Sequence, residues 1–402
     1  MPPEHSSDDD IVVTGVGLVS PLGNTLPQSW DALIAGKGSG RWLTDRAANW
    51  HFPGSETERF AGCPVHQPMP GNADFGSRLV QLAGIAAREA VGSAGGLDAY
   101  PTHRRACCIG TSKTDLAPLD QAEFSMSILW PSHAAAEIAA RFQCEAASLC
   151  PVAACATGVV SLLSGADQIR YGTADVVIAG SVDASLHPAL LSSYRRLGVM
   201  ARPGNRPEQA CRPFDQHRSG FLVGEGGAAF VLERASAAVQ RGARPLAILR
   251  GGGFGGDPSG MTLVDESGQH LAAFIERMLD RLQLRIGGID SICLHGTATR
   301  PNDLAEARAL QRLLGSRLGD VPAFATKGAT GHLMGAAGAV ETAFAVQSLQ
   351  AGVIPPTTNL QIQDRECGVR LSSQSVHATC RRMLKLSLGF GGHIAAAVLE
   401  RP

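Results

Sequence analysis

The chain has 402 residues, 44% of them hydrophobic and 18% charged, with a formal net charge of −1 at pH 7. That length and balance describe a globular protein able to bury a large core, either as two domains or as two halves of one unit. They exclude the strong basic field expected of a protein that binds nucleic acid or an anionic membrane surface. The first ten residues, Met-Pro-Pro-Glu-His-Ser-Ser-Asp-Asp-Asp, are acidic and polar, the opposite of an export signal, and read as a frayed tail. No apolar run is long enough to span a bilayer, and the best, around Leu333–Val346, is interrupted by Glu341. The ten cysteines show no paired metal-ligand spacing, so no metal site is assigned and they read as reduced thiols of a cytoplasmic protein.

In chain order, Ile11–Gly17 predicts a short buried strand entering a glycine turn. Its Gly15-x-Gly17-x-x-Ser20 pattern touches the dinucleotide fingerprint, but the third glycine is missing and Pro21 follows at once, so no nucleotide site is assigned. Residues 41–76, rich in Pro, Gly and polar side chains, predict a surface excursion. The spacing of Leu79, Leu82, Ile85, Ala86 and Ala90 predicts a helix over Arg78–Ala94, and Ala106–Gly110 a strand with Cys107 and Cys108 in the core. Residues 120–142 read as helical pieces broken at Pro131. Val152–Gly158 is an apolar approach and a small-residue turn, with a helix-period run behind it. Cys155 therefore stands near a helix N-terminus, where unpaired N–H groups and the dipole favour an anion and lower a thiol pKa. An isolated cysteine is more often buried packing; two later segments change that weighting.

Ala174–Gly180 predicts another buried strand. Arg195, Arg196, Arg202 and Arg206 then form a basic cluster, which is either an ordinary solvated face or a dock for an acidic carrier beside a reactive site. After the strand Ala228–Leu232 the texture resets at Arg241–Pro245, and a strand over Leu246–Arg250 opens a second series. Residues 1–243 and 244–402 are read as two halves of an α/β protein with buried parallel strands. In the second half, Ile289–His295 is a strand ending on a histidine. Asp303 reads as the N-cap of the next helix, with Glu306 as its capping-box partner. The strand Pro322–Thr326 runs into Lys327-Gly-Ala-Thr-Gly-His332, and the small face Gly335–Ala339 places the following helix centrally. Met383–Leu388 and a strand from Ile394 are joined by the glycine-rich hairpin Gly389–His393.

Cys155, His295, Lys327 and His332 all fall in glycine-rich turns at strand-to-helix junctions, where layered α/β folds bind ligands, and a cysteine among imidazoles suits acyl-thioester chemistry. The motifs around them occur in a characteristic order: Val-Thr-Gly-Val-Gly-Leu-Val-Ser-Pro-Leu-Gly (13–23), Ala-Cys-Ala-Thr-Gly (154–158), Arg-Pro-Phe-Asp (212–215) with Gly-Glu-Gly (224–226), His-Gly-Thr-x-Thr (295–299) with Asn-Asp (302–303), Lys-x-x-x-Gly-His-x-x-Gly-Ala-Ala-Gly (327–338) and Gly-Phe-Gly-Gly (389–392). In these, over nearly its whole length, the chain resembles the elongating β-ketoacyl-acyl-carrier-protein synthases of the thiolase superfamily.

The resemblance implies a duplicated five-layer α-β-α-β-α thiolase-like fold, with residues 1–243 carrying the nucleophile and residues 244–402 the His/Lys/His set. It implies a homodimer, or a heterodimer with another ketosynthase subunit. It implies that Cys155 accepts an acyl group from acyl carrier protein, with its own N–H and that of Phe390 as the oxyanion donors and Phe390-Gly391 as the gate. His295 and His332 then promote decarboxylation of a malonyl thioester and a Claisen condensation, with Lys327, paired with Glu306, orienting them and Asp303 in support. Thr297 and Thr299 touch the phosphopantetheine arm, and no separate cofactor is called for. Degradative thiolases carry a second cysteine where this chain has His393. Related initiating synthases carry asparagine in place of His332, and chain-length factors lack the cysteine. Departures from the family pattern are His393-Ile394 after the Gly-Phe-Gly-Gly motif, His217 and Ser219, Leu388, and Arg300-Pro301. They point towards a specialised polyketide, polyene or lipid pathway. An acyltransferase without condensation and an architectural partner of another subunit stay open as alternatives.

Overall fold

In a computed structural model, residues 8–43, 59–65, 77–120 and 125–402 are described. Ten strands make two arrays with one plan. The first holds β1 (Ile11–Val19), β2 (Arg105–Gly110), β3 (Ala147–Leu149), β4 (Val176–Ala184) and β5 (Val223–Arg234), in the order β1-β5-β4-β2-β3. There β2 is parallel to β3 and β4, and β5 is antiparallel to β4 and β1. The second holds β6 (Ala247–Gly256), β7 (Ser291–Cys293), β8 (Ala323–Phe324), β9 (Arg382–Gly389) and β10 (His393–Glu400), in the order β6-β10-β9-β7-β8. Its directions repeat the first: β7 is parallel to β8 and β9, and β10 is antiparallel to β9 and β6. The arrays join edge to edge through Ile11↔Leu249, Val12↔Ile248 and Val13↔Ala247.

Side-chain alternation along each strand sorts the core into layers. On β4, Val177 and Ala179 enter the central core while Val176, Ile178 and Val182 enter an outer one. On β10, Ala395, Ala397 and Leu399 face the central core, and Ile394, Ala396 and Val398 the other outer core. The outer faces are covered by α1 (Arg78–Ser93) and α2 (His133–Arg141) on the first array, and by α4 (Gln269–Arg281) and α5 (Arg300–Leu314) on the second. Between the arrays lie α3 (Thr157–Arg170) and α6 (Ala337–Ala351). From Ala337 to Leu349, α6 is buried on every side except at Gln347, as a helix enclosed by two sheets must be.

Two features of the sequence find their reason here. Gly15 and Gly17 are not a phosphate loop. A Cβ at Gly17 would stand 2.5 Å from Ala90 N, so these glycines let β1 press against the backbone of α1. The reading of residues 41–76 as a surface excursion needs correction where the chain is described. Arg41–Trp42 pairs with Ala61–Cys63, which adds onto β5, and Leu43, Phe60 and Val65 are buried. Apolar residues spaced along an otherwise polar segment were the overlooked signal; residues 44–58 and 66–76 of it, like the tail residues 1–7, lie outside the described residues.

The central helices cross at glycine. A Cβ on Gly158 of α3 would sit 2.7 Å from Gly338 C and closer still to Ala339 N of α6. Gly158→Val is expected to force the helices apart and cost about 3 kcal/mol, whereas Gly172→Ala, at a loop glycine with open space around it, is expected to cost less despite its positive φ. Denaturant unfolding of the two variants checks the difference.

Candidate active site

One turn occurs twice. A 3₁₀ turn, Ala154–Ala156, leads into α3, and another, Met334–Ala336, leads into α6. Each opens on a non-glycine residue with positive φ, Ala154 at 47° and Met334 at 49°. The first carries Cys155; the second follows His332. Thr157 fixes the cysteine turn, because its hydroxyl donates to Ala154 O (2.7 Å) and accepts from Ala153 N (2.9 Å). Gly389, at the end of β9, packs against the backbone of this turn, and the Phe390 N–H donates to the Cys155 sulfur. His332 is held by β-bridge contacts to the start of β5: its N–H donates to Leu222 O (2.7 Å) and its carbonyl accepts from Gly224 N (2.9 Å).

His295 follows β7, and its backbone is held by Glu306 of α5. That carboxylate accepts from His295 N and Gly296 N, both at 2.7 Å, and from Asn302 Nδ2 at 2.9 Å. Glu306 therefore caps the His295 turn, and the pairing with Lys327 that the resemblance implied is not made. Lys327 Nζ pairs instead with Glu341 Oε1 on α6 and donates to His295 O and Nδ1, the latter at 3.1 Å. Lys385 of β9 takes the second Glu341 oxygen at 2.8 Å. Both lysines and Glu341 are buried. Their sequence signal was a lone charge in an apolar helix and a lone charge in an apolar strand, since buried charges survive when paired. The helix cap is also corrected. Thr299 is the N-cap of α5 and Pro301 fills its first turn, which places Asp303 inside the helix, accepting from Phe214 N at 2.8 Å beside Arg218.

These bonds set the protonation of the two imidazoles. Met334 N–H donates to His332 Nδ1 (3.2 Å), and the Lys327 ammonium, which only donates, faces His295 Nδ1. Burial, and then Lys327, push both histidines well below the ordinary imidazole value, so both are neutral at pH 7. Each therefore carries its proton on Nε2. Their rings meet edge to face at 5.5 Å, and Phe221 buttresses His332 at 4.8 Å. The thiol behaves differently from expectation. Burial pushes Cys155 up to about 11, although Lys113, Lys327 and the Phe390 N–H pull it down. Desolvation outweighs the helix terminus because the turn is shut inside the core.

A cavity of about 580 Å³ brings together Cys155, His295, His332, Thr297, Thr299 and Phe390. Lys327, Glu306 and Asp303 are fully buried and do not line it, and Gly391, also outside the lining, is exposed between Phe390 and Gly392, which do line it. Arg195 and Arg202 line an adjoining groove of about 810 Å³, and Arg202 and Arg206 a smaller one of about 290 Å³. Ser219 belongs to the walls of all three. Arg195 stacks 4.0 Å over Phe60, Arg206 pairs with Glu208 at 3.0 Å, and Arg196 is exposed but lines none of them. Residues 8–238 match the model of the beta-ketoacyl synthase N-terminal domain, and residues 246–361 that of the C-terminal domain.

The chain belongs to the β-ketoacyl synthase family. The family assignment makes the chain an acyl-transferring condensing enzyme of thiolase-like fold. Among its relatives is the tetracenomycin polyketide synthase ketoacyl synthase alpha subunit of Streptomyces glaucescens, 33% identical, with 98% of this chain and 97% of that one covered. The oxytetracycline polyketide putative beta-ketoacyl synthase 1 of Streptomyces rimosus is 30% identical over 98% of this chain and 97% of its own. Among solved structures, a type II polyketide synthase acyl-carrier protein in complex with its ketosynthase bound to the hexaketide superposes with a TM-score of 0.86 at 25% identity, covering 98% and 99% of the chains. The ishigamide ketosynthase/chain length factor does so with 0.85 at 29%, covering 98% and 100%.

One cluster in the cavity wall of this β-ketoacyl synthase escaped the sequence reading. Lys113, beyond β2, meets Asp183 of β4, Ser185 and Tyr194 on the Cys155 side. Its signal was a charged residue three positions beyond a buried strand.

Two outcomes follow from the geometry. With the thiol near 11, the rate of Cys155 carbamidomethylation should rise steadily from pH 7 to pH 10 as thiolate forms; peptide mass spectrometry that found a plateau at pH 8 would contradict the burial argument. Glu341→Gln leaves two buried lysines with no carboxylate, and denaturant unfolding should show a loss of about 3–5 kcal/mol.

Proposed function

We propose that Cys155 takes an acyl group from a carrier thioester and condenses it with malonyl carrier, with His295 and His332 as the paired donors to the developing enolate. The observation that carries this reading is the tautomer of the two histidines, each with Nδ1 engaged behind it and Nε2–H left for the cavity that Cys155 lines.

In the first step the Cys155 sulfur attacks the thioester carbon. The oxyanion is met by the Phe390 N–H and the Cys155 N–H, the proton of Cys155 passes to the departing pantetheine thiol, and the acyl group stays on sulfur. In the second step the malonyl carboxylate leaves as CO₂, and the electrons of the broken bond enter the thioester as an enolate. Two neutral imidazole N–H groups stabilise that oxyanion without surrendering their protons, and Lys327 behind His295 supplies positive charge. The enolate carbon then attacks the acyl-Cys155 carbonyl, the carbon–sulfur bond breaks, and the departing Cys155 thiolate takes a proton from solvent. The electrons of the new carbon–carbon bond come from decarboxylation, so the scheme calls for no separate cofactor.

Thr297 and Thr299, whose hydroxyls lie 2.7 Å apart in the cavity wall, suit the amide groups of a phosphopantetheine arm. The grooves bordered by Arg195, Arg202 and Arg206 adjoin that wall and suit an acidic carrier protein. At the other edge, β3 ends its array with Leu149 and Val152 exposed, near exposed Met126 and Trp130. This apolar edge supports pairing with a second copy or with a related ketosynthase subunit. The polyketide relatives favour a polyketide pathway. A cytoplasmic location is part of this proposal; separately, no helix among the described residues is long and apolar enough to cross a membrane. The repeated strand order supports a division of the chain at residues 243 and 244.

Cys155→Ala should show no acyl adduct by intact-mass spectrometry and no β-ketoacyl product. His332→Ala should keep the adduct while condensation with malonyl carrier falls by about 10²–10⁴-fold. Loss of acylation and condensation in equal measure would assign His332 to substrate loading and sink the enolate role.

A further inference from the structure

The cavity has two unlike walls. One, Thr297–Asn302, is the side given above to the carrier arm. The other is formed by Ser112, Lys113 and Tyr194 on the Cys155 side, and an acyl group resting on Cys155 faces it once the arm fills the first.

The hydrogen bonds of that second wall can be followed to the last proton. Ser112 and Ser185 both donate their hydroxyl hydrogens to Asp183, a buried carboxylate that also accepts from Gly335 N at 3.1 Å. Their oxygens are thereby left to accept, and Lys113 Nζ donates to both, to Ser185 Oγ at 2.8 Å. The ammonium stands 3.4 Å from Asp183 and lines the cavity beside the Tyr194 hydroxyl, whose titration it influences. Lysine cannot accept, so towards Lys113 the Tyr194 oxygen can only accept, and its own hydrogen remains unspent. Among the described residues no other partner meets this hydroxyl. The ring is set by an edge contact with Phe221 at 6.2 Å, and Phe221 in turn packs on His332. Burial keeps the phenol protonated, so it remains a donor across the working pH range.

We propose that the Tyr194 hydroxyl, beside Lys113, is a specificity-determining donor that selects an oxygen-bearing acyl group on Cys155 over an alkyl chain of the same length. A keto or hydroxyl oxygen satisfies the unspent donor. An alkyl chain displaces its water and leaves it unpaired, which disfavours that substrate. Lys113 is a positioning residue, acting through Tyr194. The inference rests on the condensing reading only through acylation of Cys155.

The test measures rates of acyl-Cys155 formation by intact mass with octanoyl, 3-oxooctanoyl and 5-oxooctanoyl N-acetylcysteamine thioesters, which bypass carrier docking. At least one oxo substrate is expected to react about tenfold faster than octanoyl in the unaltered enzyme. In Tyr194→Phe, which keeps the ring contact with Phe221, the ratio should fall to near one; Lys113→Met should lower it in the same direction. Equal rates for the three substrates, or an oxo preference that persists in Tyr194→Phe, would overturn this inference while leaving the condensing reading intact. Absence of any adduct at Cys155 would overturn both.

Discussion

The close crossing of α3 and α6 at Gly158 and Gly338 is the constraint from which the site follows. Both helices lie between the two sheets and are buried at the crossing, where backbone contact requires the Cβ to be absent. Each helix starts from the same tight turn with one residue at positive φ. Crossing the helices near their starts therefore sets the Cys155 turn beside the His332 turn. The repeated strand order does the coarse work, and two glycines do the fine placement.

Burial then determines the chemistry. It raises the thiol of Cys155 and lowers both histidines, so all three groups rest uncharged at neutral pH. Behind the histidines Lys327, Glu341 and Lys385 satisfy one another, and on the Cys155 side the charge is the pair Lys113 and Asp183. A site so arranged stores preorganised N–H donors for a charge that appears only during reaction, which is where electrostatic catalysis has its effect. It also explains why an uncharged cysteine suffices: transfer of the acyl group from a thioester to a thiol passes the thiol's proton to the leaving thiol.

Nine of the ten array strands (all but β3), the nucleophile turn and the four residues Cys155, His295, Lys327 and His332 were legible in the sequence, the four because each lies at a local break of pattern, a glycine-rich turn after an apolar run. Pairings across the fold were not. Glu306 was paired with Lys327 through the family resemblance, and its spacing from Asp303 read only as a capping box, yet its partners are the backbone N–H groups of His295 and Gly296. The true partner, Glu341, was visible only as a charge interrupting an apolar helix, and Lys385 and Lys113 as charges in or after buried strands. The thiol pKa was misjudged in sign because a helix N-terminus can be read from spacing, whereas the depth at which it is buried depends on the second array. Glycines 15 and 17 show the reverse case, a ligand-like pattern whose use is helix packing.

The most direct measurement is a single turnover of preformed acyl-Cys155 enzyme with malonyl carrier protein, following CO₂ and the carrier-bound product together. The account predicts one CO₂ released for each acyl group discharged, with a β-ketoacyl carrier two carbons longer than the starting acyl group. Discharge of the acyl group to carrier or water without CO₂ and without a new carbon–carbon bond would contradict it.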